Sequence, residues 1–141
     1  MILIFGGTTE GRTAVKVLDE AGSPYYYSTR GNAQQIECKH GTRVAGGMDC
    51  DAMTEFCSTH NIRLIIDAAH PFASLLHTTV ATVSEQLDLP VIRLERRYPP
   101  RDESLVWCDT FDDAIDYLES HEIRDLLALS GVQTITKLQR Y

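Results

Sequence analysis

Three short runs carry residues whose types and spacing suit chemistry. Asp67-Ala68-Ala69-His70 sets a carboxylate three residues before an imidazole, a pair in which the acid orients the ring and the ring supplies a proton or donates to a carboxylate near neutral pH. Gly6-Gly7-Thr8-Thr9-Glu10-Gly11-Arg12 has the small residues of a turn that an anion approaches closely. The N–H groups and positive dipole end of a following helix would then face a phosphate. Arg93, Arg96, Arg97 and Arg101 cluster around Pro99-Pro100 and offer guanidinium forks for carboxylates or phosphates. Each run also has a plain reading: a histidine bonded to backbone, an ordinary strand-to-helix turn, and a solvated loop paired with Asp102 and Glu103.

The elements that must position these residues alternate between strand and helix patterns. Ile2 to Phe5 is an apolar run before the glycines, and Thr9 to Ala21 carries Ala14, Val15, Leu18 and Ala21 at helical spacing before Gly22 and Pro24 end it. Pro24 to Thr29 reads as a second strand, residues 33–39 as a short helix and Thr42 to Ala45 as a third strand. Asp49 or Asp51 is placed to cap a helix whose Met53, Phe56 and Cys57 face inward and which stops at Asn61. Arg63 to Asp67 is a fourth strand, apolar enough at its centre to lie between helix layers. Pro71 suits the first position of the next helix, with Phe72, Leu76, Val80, Val83 and Leu87 as its core stripe. Leu89 to Leu94 is a fifth strand, Val106 to Cys108 a small one, Phe111 to Leu118 a helix and Leu126 to Leu129 a sixth strand. The fold class is α/β, a Rossmann-like doubly wound, mainly parallel sheet with helices on both faces.

In that fold ligands sit beyond the carboxyl ends of the strands, near the point where strands one and four are neighbours. Asp67 and His70 therefore face the Gly6 to Arg12 loop. Gly6 and Gly11 match the first and third glycines of the dinucleotide fingerprint, while Thr8 replaces the middle one and implies a variant loop in which the Thr8 or Thr9 hydroxyl donates to a phosphate oxygen. The second strand ends Ser28-Thr29-Arg30 with no carboxylate before Glu37. Two hydroxyls and a guanidinium suit a 2′-phosphate, which favours NADPH and leaves NADH as the alternative.

The 141 residues fit one domain of ordinary size, and a net charge of −7 excludes a general nucleic-acid or membrane-surface binder. Cys38, Cys50, Cys57 and Cys108 form no C-x-x-C pair, so a disulfide framework or zinc site is not expected and a reducing cytoplasm is. No metal is expected, since His40, His60, His77 and His121 lack ligand spacing and read as surface or core residues. No stretch has the length of a membrane span or the form of an export signal. No Tyr has a Lys four residues on, which disfavours a short-chain reductase or epimerase.

The motifs Gly6-Gly7-Thr8-Thr9-Glu10-Gly11-Arg12, Asp67-Ala68-Ala69-His70-Pro71-Phe72-Ala73, Arg93-Leu94-Glu95-Arg96 and Ser130-Gly131-Val132-Gln133-Thr134 together resemble the precorrin-6A reductase family of cobalamin biosynthesis. Ala69 departs from the family's usual Thr. The resemblance implies NAD(P)H-dependent reduction of precorrin-6A, or its cobalt complex, to precorrin-6B. It puts Gly6, Gly7, Thr8, Thr9, Glu10, Gly11 and Arg12 on the cofactor phosphates, Ser28, Thr29 and Arg30 near the 2′-phosphate, and Asp67 with His70 at the reacting end. Arg93, Arg96 and Arg97 become counter-charges for a polycarboxylate tetrapyrrole. It also implies a Rossmann-like domain over residues 1–125 and, over 126–141, the start of a truncated second α/β half. An edge left by a missing half favours a homodimer. The rival reading is a non-catalytic NADP-binding regulator or an isolated half-domain.

Overall fold

The computed structural model describes residues 1–31, 36–131, 133–139 and 141. Met1–Arg97 form one compact unit and Tyr98–Tyr141 another. In the first, β1 (Ile2–Phe5), α1 (Thr9–Glu20), β2 (Tyr25–Thr29), β3 (Gly41–Ala45), α2 (Cys50–Thr59), β4 (Leu64–Asp67), α3 (Ser74–Leu87) and β5 (Val91–Arg93) follow one another. The second holds α4 (Phe111–Ser120) and α5 (Gln133–Lys137).

The five strands are all parallel in the order β3-β2-β1-β4-β5. The chain winds outward from β1 to β3, then restarts on the other side of β1 with β4, so the switch point lies between β1 and β4. Alternate residues of a strand point to opposite faces, and here both faces are covered. Ile4, Tyr25, Tyr27 and Ile66 pack with Ala14 and Val15 of α1, whereas Leu3, Phe5 and Ile65 pack with Met53 and Cys57 of α2 and Val80 and Val83 of α3. This two-sided burial is why the strands read as unbroken apolar runs rather than alternating ones.

Local chemistry fixes the helix ends. The Thr8 hydroxyl accepts from the Gly11 N–H and caps α1, and Asp49, rather than Asp51, accepts from Ala52 at 2.9 Å to cap α2. A reciprocal Thr110–Asp113 box starts α4.

Several expected elements differ. Helix α3 begins at Ser74, not at Pro71, because Ala73 N–H turns back onto the His70 carbonyl at 2.8 Å and the helical ladder opens only with His77 N–H on Ala73 O. Phe72 therefore leaves the core stripe and is 88% exposed, while Leu76, Val80, Val83 and Leu87 keep their places. Leu126 to Leu129 form no strand. Leu127 and Leu129 are exposed, and a strand needs a neighbour to take its backbone hydrogen bonds. Val106 to Cys108 are likewise not a strand, and the Trp107 indole donates to the Asp102 carbonyl. The helix expected over 33–39 falls partly outside the described residues, and residues 36–39 are not helical.

Candidate functional site

Strand register assembles the site. Ser28, Phe5, Asp67 and Arg93 stand side by side across β2, β1, β4 and β5, at the carboxyl edge of the sheet, where Phe5, Asp67 and Arg93 are the last residues of their strands. The two loops that leave this edge at the switch point touch, since the Thr8 hydroxyl donates to the Ala68 carbonyl at 2.6 Å. The glycine loop and the Asp67 to Ala73 turn are thus brought together, as the sequence motifs require.

Within the turn, the partners are not those expected. Asp67 is 3% exposed. One of its oxygens accepts from the Ala69 N–H at 3.2 Å and pairs with Arg93 Nη1 at 2.7 Å; the other meets His77 Nδ1 at 2.8 Å. Asp67 does not orient His70. The His70 ring is turned to solvent, its Nδ1 accepts from the Phe72 N–H at 3.2 Å, and it lies 5.1 Å from the Phe72 ring. His77 is the imidazole that Asp67 holds, and its Nε2 faces the His70 carbonyl at 3.0 Å. The reason is geometric: side chains of a helix lean toward its N-terminus, so a histidine in the first turn of α3 covers the turn that precedes it. The ten-residue spacing from Asp67 to His77 carries no motif, and only the later start of α3 brings the two together.

The arginines separate. Arg93 is bound within the protein by Asp67 and by Glu95 at 3.0 Å, Arg96 pairs with Glu10 at 3.1 Å, Arg97 is exposed, and Arg101 pairs with Asp109 in the second unit. The Glu10 carboxyl is held below its ordinary range by its own backbone N–H and then by Arg96. An acid at the N-terminus of α1 is thereby kept ionised and stabilised by the helix dipole.

In the glycine loop, a Cβ on Gly6 would collide with the Tyr27 ring, and one on Gly11 would crowd Gly6 Cα at 2.9 Å. These two glycines serve close strand–helix packing. Gly7 has a φ of 101°, and nothing lies within 4 Å of where its side chain would stand. That open space above a left-handed turn is where an anion can approach. The Thr8 hydroxyl donates its proton to the Ala68 carbonyl and accepts from the Gly11 N–H, whereas Thr9 is exposed. Ser28 and Thr29 are buried at the end of β2, with the Thr29 hydroxyl on the Gly31 carbonyl at 2.8 Å, and Arg30 is exposed beside them. Among the described residues no group of His, Cys, Asp and Glu could hold a metal, and no helix is long and apolar enough to cross a membrane.

A family model described as precorrin-6x reductase CbiJ/CobK matches residues 1–141. A cobalt-precorrin-6A reductase of Synechocystis sp. is 30% identical over 102 residues, covering 70% of this chain and 38% of that protein. A precorrin-6A reductase of Sinorhizobium sp. is 32% identical over 101 residues (67% and 37%), and one of Rhodococcus erythropolis 31% over 103 residues (71% and 42%). A solved CobK precorrin-6A reductase superposes with a TM-score of 0.63 at 24% identity, covering 72% of this chain and 40% of that one, a likeness of fold. The chain spans about two-fifths of the length of the curated relatives it matches. With the family model covering its whole length, the chain belongs to the precorrin-6x reductase family.

Proposed function

We propose that this chain is the nucleotide-binding half of an NAD(P)H-dependent reductase that converts precorrin-6A, or cobalt-precorrin-6A, to its 6B product in cobalamin biosynthesis. The observation that carries the reading is the meeting of the glycine loop and the Asp67 turn at the β1–β4 switch point through the Thr8–Ala68 hydrogen bond. The names of the relatives point to the same reaction.

The residues present fit a dinucleotide. Gly7 leaves room for phosphate, the positive dipole end of α1 favours an anion there, and the Glu10 carboxylate beside it is neutralised by Arg96 rather than left to repel one. Residues 6–12 would hold the pyrophosphate, and Ser28, Thr29 and Arg30 at the end of β2 would lie by the adenine ribose, with Arg30 as partner of a 2′-phosphate. A reduced nicotinamide supplies the hydride when bound. The chain's part is to place it against the macrocycle, with His70 and Phe72 on the exposed turn facing the substrate and His70 as candidate proton donor. Arg97, together with Arg93 and Arg96 where their ion pairs leave donors, would meet substrate carboxylates.

Residues 126–141 are read as the opening of the second α/β half, and the protein as cytoplasmic. The exposed Val91 and Ile92 of the edge strand β5 favour a homodimer; a concentration-independent monomer mass in light scattering would remove this point. Because the chain spans two-fifths of its relatives, a half that binds the nucleotide without turnover is the second reading. Titration with NADPH and with NADH, followed by nicotinamide fluorescence, tests the proposal. Micromolar NADPH binding that weakens about tenfold in Arg30→Ala, the loss of one charged contact, supports it; no binding of either nucleotide overturns it. Turnover that appears only with a chain spanning the whole length of the relatives separates the two readings.

A further inference from the structure

We propose that His77 is a positioning residue for the turn that carries His70 and Phe72, and that it acts through its Nε2 bond to the His70 carbonyl; this rests on the reading of that turn as the substrate-facing wall. The start of the turn is tied down by Thr8 and Asp67, and its exposed part less so. Helix α3 starts without a side-chain cap, Phe72 is 88% exposed, and among the described residues the hydrogen bond of the His70 ring is with the backbone N–H two residues on. His77 is the side chain that crosses from α3 to this backbone, with Nδ1 on the buried Asp67 at 2.8 Å and Nε2 on the His70 carbonyl at 3.0 Å.

The rest of the cluster fixes the ring. Arg93 Nη1 lies 2.7 Å from the other side of Asp67 and 3.0 Å from His77 Nδ1, so strand β5 clamps the carboxylate that clamps the imidazole. Asp67 also accepts from Ala69, which ties the start of the turn to the end of β4. His77 completes the connection at the far side, since the His70 carbonyl receives both its Nε2 and the Ala73 N–H. A donor placed here fixes where the His70 and Phe72 side chains leave the backbone. It has no need to touch substrate.

Two conservative substitutions divide the ring's contacts. The amide nitrogen of glutamine stands near the place of Nε2 and that of asparagine near Nδ1, so His77→Gln keeps a donor toward the His70 carbonyl, whereas His77→Asn keeps a polar group beside Asp67 and loses that donor. In the 141-residue chain labelled with 15N, amide–water exchange of Phe72 and Ala73 and the ring Nδ1 resonance of His70 read the turn directly. The expected result is exchange faster by about three- to tenfold in His77→Asn and His77→Ala, the range that one net hydrogen bond supplies, with a shifted His70 Nδ1 signal and recovery of both in His77→Gln. Unchanged exchange in His77→Asn, or no recovery in His77→Gln, would overturn the proposal. Should His77→Ala not fold, the Gln and Asn variants decide alone. None of these readouts needs a nucleotide, so failure of NADPH to bind the unsubstituted chain would remove the proposed function while leaving the positioning role to be read separately.

Discussion

The Tyr27 hydroxyl accepts from the Gly7 N–H at 3.0 Å while its ring fills the space in which Gly6 would carry a side chain. A tyrosine of β2 thus forms the floor of the loop that leaves β1. The first glycine of the motif answers to a side chain of this chain, and the second to backbone conformation.

Gly6→Ala should therefore destabilise the fold by about 1–3 kcal/mol, the cost of overpacking against a ring that is itself fully buried. Urea unfolding measures it. Because the clash is with Tyr27, the Tyr27→Ala background should relieve part of the loss, with a coupling above about 0.5 kcal/mol in the double-mutant cycle. Simple additivity would contradict this account.

Asp67 links β4, β5 and α3, and Asp67→Ala leaves two cationic or hydrogen-bonding partners without a carboxylate. The expected loss is about 2–4 kcal/mol, less than a fully buried pair would give, since the Arg93 side chain keeps 27% of its surface in water. Arg93→Ala should cost a similar amount, and the double variant clearly less than the sum. Equal and additive losses would mean that the two residues act apart.

Acid stability should report Asp19. Burial works to raise its pKa, but the N–H groups of His40 and Lys39 and the Tyr25 hydroxyl outweigh it and hold the carboxyl below its ordinary value. A folded-state pKa below the unfolded one of about 3.9 gives stability that is present above that pH and lost as pH falls through the folded value. The gap in urea midpoint between the unsubstituted chain and Asp19→Asn should be widest near neutrality and close below pH ~4. A gap of constant width would place the effect outside the carboxylate.

The thiols should separate by burial. Cys57 is 2% exposed, and desolvation pushes its pKa up, whereas Cys108 is exposed. With a thiol reagent at pH 7, Cys108 should react within the first phase and Cys57 only on unfolding, at least about a hundredfold more slowly, as its opening must cross several kcal/mol. Rapid modification of Cys57 in the folded chain would show that α2 is not held against the sheet.

The amino-acid sequence by itself determined the first unit of this fold. The apolar runs Ile2 to Phe5 and Leu64 to Ile66, the glycines after the first and an aspartate before the second helix each specify local structure strongly, and a doubly wound sheet is the arrangement that buries such runs on both faces. That Thr8 caps α1 and that Asp49 and not Asp51 caps α2 came from the structure. The sequence also marked the two loops at the switch point, because strand ends in such a sheet must lie there. What only the tertiary structure decided is who meets whom within them. The position of the aspartate at the end of its strand was legible, but its histidine was not: His70 stands near it in sequence, while His77 reaches it because α3 starts three residues late and its first-turn side chains lean back over the strand end. The arginine cluster likewise looked like one binding surface, and the fold gave Arg93 to Asp67 and Arg96 to Glu10. Sequence proximity cannot anticipate such pairings, since a buried carboxylate is satisfied by whatever donor the packed elements bring to it.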